Sequence, residues 1–261
     1  MKIGVTALGS GSRGNAFVIH CGNTGIMIDG GFSRKLLIER IKEGGIQPEV
    51  VKAMLLTHEH DDHAKGCRVF CDHYDIPLCT TYRTAKYLGE RNKIPQQVME
   101  FIPGSKFELE GFTINPFSVR HDAIEPVGFE IKRGKLKIGV ATDLGSLDQL
   151  ATMRLRDSNM LILESNYDLD MLRNSSRPLH LKRRIMGRHG HLDNRDALSA
   201  LPELVTAKTK IIYLVHVSAE CNNHDLVKIK AKEQLHNMGR DDILLEVIRQ
   251  SKSKGVVYLA D

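Results

Sequence analysis

Short apolar runs alternate with amphipathic stretches along the whole chain, a pattern that predicts a mixed α/β protein. Strand-like runs fall at Lys2–Leu8, Ala16–His20 and Gly25–Ile28, and a helix capped by Ser33 follows, with Leu37 and Ile41 on its buried stripe. Further strands are expected at Lys52–Leu56, Phe112–Val119, Val127–Lys132, Leu136–Ala141, Met160–Leu163 and Lys210–Val215. Helices are expected between them, including Asn194–Val205 and Asp225–Met238. No Pro/Gly/Ser linker, low-complexity tract or fixed-period repeat interrupts this order, so one domain over residues 1–261 is expected.

Several of these runs lead into a residue able to bind a metal or carry a proton: His58, His121, Asp143, Glu164 and His216. Strand ends place side chains rigidly, and sites gather where strands meet loops. The densest case is Thr57-His58-Glu59-His60-Asp61-Asp62-His63, in which His58, His60, Asp62 and His63 bring three imidazoles and a carboxylate into six residues. Alternate residues of an extended segment share a face, so His58 and His60 can meet one ion while Asp62 and His63 reach a second. Imidazole nitrogen with carboxylate oxygen suits Zn²⁺, and also Mn²⁺ or Fe. A solvated polar turn is the plain alternative, and the crowding of ligand types argues against it. Four residues cannot complete two coordination spheres, which makes His121, Asp143 and His216 the candidates to finish them. Asp29, after the run Ile26-Met27-Ile28, is read as a partner that orients a ligand histidine rather than as a ligand.

Composition narrows the rest. With 261 residues, 41% hydrophobic and 26% charged, the chain is long and apolar enough for a sizeable core, which excludes disorder as its main state. The start Met1-Lys2-Ile3-Gly4-Val5 lacks a basic stretch followed by a long apolar run. No segment approaches the roughly 20 apolar residues of a membrane span, so a cytoplasmic protein without membrane contact is expected. Cys21, Cys67, Cys71, Cys79 and Cys221 form no CxxC pair, which suits free thiols in a reducing compartment and gives no sulfur site for a metal. The net charge of +5 favours a polyanionic partner only weakly. Locally the bias is stronger: between Asp170 and Asp193 lie Arg173, Arg177, Lys182, Arg183, Arg184 and Arg188 with no acidic residue. Beside the site such a patch would attract a phosphate backbone, a solvated helix face being the rival reading. The turn Gly9–Asn15 could cradle a phosphate with backbone N–H groups and hydroxyls, or be a tight structural turn. With no Trp in the chain, base stacking would fall to Tyr or Phe.

In order and spacing, His58, His60, Asp62 and His63, then His121 in Arg120-His121-Asp122-Ala123, Asp143 in Ala141-Thr142-Asp143-Leu144-Gly145, and His216 in Leu214-Val215-His216-Val217-Ser218 resemble the metallo-β-lactamase-fold superfamily. The resemblance implies a four-layer αββα sandwich and two divalent ions. His58, His60 and His121 would hold one, Asp62, His63 and His216 the other, with Asp143 bridging. Further motifs are similar to the YycJ/WalJ group, described as 5′ to 3′ DNA exonucleases. They are Gly9-Ser10-Gly11-Ser12-Arg13-Gly14-Asn15, His121-Asp122-Ala123 with Pro126-Val127-Gly128, Glu164-Ser165-Asn166, Gly190-His191-Leu192, and His216-Val217-Ser218-Ala219-Glu220-Cys221-Asn222. Asp193 stands where that group tends to carry Ser, and Arg120 is a second departure. This likeness implies that Ser10, Ser12 and Asn15, with Asn222, bind phosphate. It also implies that His191, supported by Glu164, handles a proton near the leaving group, Asp62 and Asp143 completing the catalytic set; His189 is read as solvated loop.

Phosphodiester hydrolysis of DNA through a hydroxide bridging two metal ions is therefore the expected activity. The same signature also serves thioester, lactone and cyclic-phosphodiester hydrolases, which need a different pocket, and RNA-directed nucleases. The short span from Asp143 to His216 leaves no room for a large RNA-binding insertion. A metal-binding module without turnover is a third class. Oligomeric state is left open.

Overall fold

The computed structural model describes residues 2–260, whose strands form two sheets of seven. The first sheet holds β1 (Lys2–Gly9), β2 (Ala16–Cys21), β3 (Thr24–Ile28), β4 (Val51–Leu55), β5 (Leu78–Thr81) and β6 (Val98–Phe101) in chain order. The second holds β7 (Phe107–Leu109), β8 (Phe112–Ser118), β9 (Val127–Arg133), β10 (Leu136–Ala141), β11 (Met160–Glu164), β12 (Ile211–Val215) and β13 (Leu244–Val247). The last strand, β14 (Val257–Ala260), returns to the first sheet and pairs antiparallel with β1.

The central strands read as unbroken apolar runs because both of their faces are buried. Inward residues such as Val5, Phe17, Ile26 and Leu55 of the first sheet meet Ile114, Phe129, Ile138 and Tyr213 of the second in one core. Outward residues of the first sheet pack beneath α1 (Arg34–Glu43), α2 (Asp61–Ala64), α3 (Cys67–Tyr74) and α4 (Tyr82–Gly89). Those of the second sheet are covered by α5 (Gln149–Leu155), α8 (Asn194–Ser199), α9 (Leu201–Leu204) and α10 (His224–Asn237). Between them in the chain, α6 (Leu169–Asn174) and α7 (Leu179–Ile185) form a separate flap with its own small apolar cluster. The layering is the expected αββα sandwich. Among the described residues no helix is long and apolar enough to cross a membrane.

Ser33 caps α1 as expected, its hydroxyl accepting the Leu36 N–H at 3.4 Å, and Leu37 and Ile41 are fully buried. The helix expected over Asn194–Val205 is instead two short ones, α8 and α9, because Pro202 has no N–H to continue the ladder. Asp193 turns out to cap α8 by accepting the Asp196 N–H at 2.7 Å, work that a serine also does. The departure from the related motif at this position is thus chemically small.

One topological fact positions the site. In each sheet four neighbouring strands run parallel, β3 to β6 and β10 to β13. The carboxyl ends of β3, β4, β10 and β12 feed the loops that carry Asp29, His58, Asp143 and His216, and Glu164 is the last residue of β11. Ligand sites of parallel sheets lie at such ends.

Candidate metal centre

Histidine and carboxylate donors from both sheets converge in groups whose ligand atoms lie within 4.8 Å of one another: His58, His60 and His121; Asp62, His63, Asp143 and His216; and, overlapping the second, Asp143, Glu164, His191 and His216. In the first group His60 Nδ1 lies 3.1 Å from His58 Nε2 and 3.3 Å from His121 Nε2. In the second, Asp143 Oδ2 is 3.0 Å from His63 Nε2, and Asp62 Oδ2 is 3.4 Å from His63 Nε2 and 3.3 Å from His216 Nε2. The other oxygen of Asp143 lies 3.8 Å from His121 Nε2, so this carboxylate stands between the groups.

The opposite nitrogens of these rings are pinned. His63 Nδ1–H donates to Asp29 Oδ2 at 2.7 Å, and His121 Nδ1–H donates to the Gly190 carbonyl at 2.9 Å. His216 Nδ1–H donates to Glu164 Oε1 at 2.9 Å. Thr57 Oγ1 donates to the Asp29 carboxylate at 3.0 Å, and this leaves its lone pair to accept from His58 Nδ1–H at 3.0 Å. Each fixed Nδ1–H turns Nε2 toward the centre, so that the neutral ring presents its lone pair there, the usual preparation of an imidazole for a metal. Among the described residues His216 Nε2 is moreover a buried atom without a hydrogen-bond partner. Asp29, read from the sequence as an orienting partner, lies against His63 Nδ1 and Thr57.

Charge follows the same plan. Burial pushes the His58 imidazolium down, and the neighbouring imidazoles push it further. Burial opposes protonation of His63 and His216 too, but carboxylates prevail at both. Asp143, Asp29 and Asp62 hold His63 well above the ordinary value, and Asp143, Asp62 and Glu164 bring His216 up to about 10. Asp143 stays well below the usual carboxylate range despite burial, because His216 and His63 face it. A site so rich in anions draws positive charge.

Glu164 is fully buried and accepts four hydrogen bonds. Oε1 takes those of His191 Nδ1 and His216 Nδ1 at 2.8 and 2.9 Å, and Oε2 takes the backbone N–H groups of Leu144 and Leu192 at 2.9 and 3.1 Å. The His191 charge and the hydrogen bonds from His191 and His216 keep its pKa low against burial. His191 is therefore held by Glu164 on one side, while the ring borders a cleft of about 530 Å³ above the donors. His189 is exposed and apart from it.

The residues expected to bind phosphate divide. Ser12 borders the cleft. Ser10 is fully buried; its hydroxyl donates to Asn15 Oδ1 at 2.7 Å and accepts from the His216 N–H at 2.8 Å. Asn15 Nδ2 lies 2.9 Å from His63 Nε2 and 3.3 Å from Asp62 Oδ2, so the turn reaches these donors at the atoms that face the centre. Asn222 is buried as well, with Nδ2 donating to the Ser165 and Asn166 carbonyls at 3.1 and 2.9 Å. Of the six basic residues between Asp170 and Asp193, Arg177 and Arg184 border the cleft, paired with Glu220 and Asp122. Lys182 instead donates to the Arg173 and Ser175 carbonyls, both at 2.7 Å. Sequence reading missed the facing wall, where Tyr87, Arg91 and Lys93 stand, the Arg91 guanidinium 3.5 Å above the Tyr87 ring. No local motif marks these three. Only the run Tyr87 to Lys93, aromatic and basic together, could have drawn attention.

An αββα sandwich with histidine and carboxylate donors gathered at its strand ends defines a metallo-β-lactamase-fold hydrolase. The family described as Beta-lactamase superfamily domain matches residues 24–217, and the chain belongs to it and, inside it, to the group of YycJ and WalJ. The chain is 31% identical to exodeoxyribonuclease YycJ of Bacillus anthracis over 241 residues, 92% of this chain and 91% of that protein. It is 30% identical to exodeoxyribonuclease WalJ of Streptococcus pneumoniae serotype 2 over 234 residues, 87% of this chain and 86% of that protein. In fold it is similar to the metallo-β-lactamase fold protein YhfI from Bacillus subtilis, with a TM-score of 0.71 at 16% identity, covering 97% and 99% of the two chains. The family implies divalent metal ions, and the unpartnered His216 Nε2 and the facing nitrogens of His58, His60 and His121 fit them.

Proposed function

We propose that the protein is a metal-dependent DNA exonuclease acting from 5′ to 3′ in the cytoplasm, with two divalent ions, zinc or manganese, iron being a third option. The observation that carries this reading is the position of Asp143 between two complete donor groups under a cleft bordered by Arg91, Lys93, Arg177 and Arg184. His58, His60 and His121 would hold one ion, Asp62, His63 and His216 the other, and Asp143 both. Ions so placed supply a hydroxide nucleophile at neutral pH and positive charge against the phosphate oxygens. The basic side chains on the two walls orient the phosphodiester and share its charge. Ser12, at the edge of the cleft, can donate to a phosphate oxygen. His191, its Nδ1–H tied to Glu164, can carry a proton on Nε2 toward the departing oxygen, and Glu164 stabilises the imidazolium. The names of the similar proteins support DNA as substrate and the exonuclease mode, and five free cysteines support the cytoplasm.

A second reading has one observation in its favour. Leu172, Leu181 and Ile185 of the flap border the same cleft and would suit the acyl chain of a thioester or lactone. Purified protein with Mn²⁺ or Zn²⁺ separates the two when given 5′-labelled DNA, RNA, a generic phosphodiester and an acyl thioester. Mononucleotide release from DNA is expected. Asp62→Ala and His63→Ala should abolish it, and His191→Ala should lower kcat by roughly 10²–10⁴-fold with metal content unchanged. Thioester hydrolysis without any phosphodiester cleavage would sink the nuclease reading.

A further inference from the structure

The cleft above the donors does not end at them. Next to it, past Asp61 and Asp62, lies a second groove of about 640 Å³ that shares Ser12, Asp61, Asp62 and Lys93 with the first. Its remaining walls bring in Arg13 from the glycine-rich turn, Lys65 just after α2, and Arg68 on α3, all three exposed. Of the two acids there, Asp62 is a donor at the centre and Asp61 is tied to Lys93 at 2.7 Å. That pair is exposed, and such pairs are worth at most about 1 kcal/mol, so a phosphate can displace Asp61 from Lys93. Among the described residues the partners of Arg68 are Asp72, at a loose 3.7 Å, and the Asn92 backbone carbonyl.

Basic side chains therefore flank the donors on both sides, Arg177 and Arg184 toward the flap and Arg13, Lys65 and Arg68 away from it. An exonuclease that holds the terminal nucleotide at the metal residues must also hold the chain beyond it, and what the second groove offers is cationic and exposed, the chemistry that follows a phosphate backbone rather than bases. Resting on the nuclease reading above, we propose that one strand of the nucleic-acid substrate runs past the metal residues into the second groove, where Arg13, Lys65 and Arg68 bind its phosphates.

The test is binding of a labelled single-stranded 12-mer with hydrolysis-resistant phosphorothioate linkages to the Mn²⁺-loaded protein across a salt series. The variant Arg13→Gln/Lys65→Gln/Arg68→Gln is compared with Lys132→Gln/Lys135→Gln/Lys208→Gln, which alters a separate basic groove beyond the β9–β10 turn. The first variant should lower affinity by about tenfold or more and flatten the dependence of log K on log salt by about 2, near 0.7 per lost phosphate contact. The second should leave both unchanged. An unaltered slope in the first variant, or an equal loss in the second, overturns the proposal. Cleavage of the unmodified 12-mer by wild type is scored separately. Groove-dependent binding without cleavage would sink the nuclease reading, and cleavage with an unaltered slope would sink only the groove.

Discussion

Asp29 illustrates how far the centre depends on residues that bind no ion. Its carboxylate accepts from His63 Nδ1–H, the Thr57 N–H and the Thr57 hydroxyl, and through Thr57 it also fixes His58. Asp29→Asn should weaken metal affinity by about 10–100-fold although every ligand remains, which a zinc-competition titration would read. Unchanged affinity would mean that the rings are held by packing alone. Asp29, Asp143 and His216 share a second property, φ values of 58°, 54° and 54° in the left-handed region. Asp and His tolerate that region better than most side chains, but it still stores strain, and such residues cluster at working sites. Protons compete with metal here, and the sign can be worked out for His216. Its pKa in the metal-free fold, about 10, exceeds the unfolded value near 6.5. The proton therefore stabilises the metal-free fold fully below pH 6.5, and this contribution is lost as pH rises through about 10. Metal needs the unprotonated nitrogen. The gain in Tm on adding Zn²⁺ should accordingly be larger at pH 8.5 than at pH 6.5, and the reverse order would contradict the placement of His216 among the carboxylates.

At the scale of elements, the strand ends were legible because long apolar runs stop at polar donors, and the sandwich core needs those runs whatever the chemistry. The short strands were not. β7 has three residues and β5, β6, β13 and β14 four each, too few for alternation to stand out from loop. The Tyr87, Arg91 and Lys93 wall was hidden for another reason: the packing of α4 against the first sheet brings it to the cleft, and no spacing in the chain encodes that. Ser10 and Asn15 were seen as a turn of interest, but whether their polar atoms face a ligand or brace His63 and His216 depends on contacts between residues far apart in sequence. The loop after β3 shows how tight these contacts are. A Cβ on Gly31 would lie 1.7 Å from the Asp62 carbonyl oxygen, which accepts the Asn15 N–H at 2.8 Å. Gly31→Ala should therefore displace Asp62, costing about 2–4 kcal/mol by denaturant melts and most of the bound metal. A variant with wild-type metal content and stability would show that this loop yields freely.

The whole molecule divides its site between its sheets. Asp29, His58, His60, Asp62 and His63 follow strands of the first, His121, Asp143 and His216 follow strands of the second, and Glu164 ends one of them. Metal at the centre would join the two halves, and at about 100 times Kd it should add about 2.7 kcal/mol, or roughly 5–10 °C in Tm for a chain of this size. Buried thiols report on the same coupling. Burial raises the pKa of Cys67 and Cys71, and brings Cys79 up to about 12, which keeps them from alkylation in the closed sandwich. With metal bound, iodoacetamide at pH 8 should modify half-buried Cys21 well before these three, and a chelator should narrow the difference. Equal rates in both states would mean that the sheets hold together without the centre. The donors lie far apart in the chain, His58 from His121 by roughly 60 residues and Asp62 from His216 by roughly 150. Tying such distant points is the topological work of a disulfide, which for a loop of about 100 residues is worth on the order of 4–5 kcal/mol in the chain-entropy model. A chain whose five cysteines are all free would thus obtain its long-range cross-links from metal, reversible by chelation and independent of redox state.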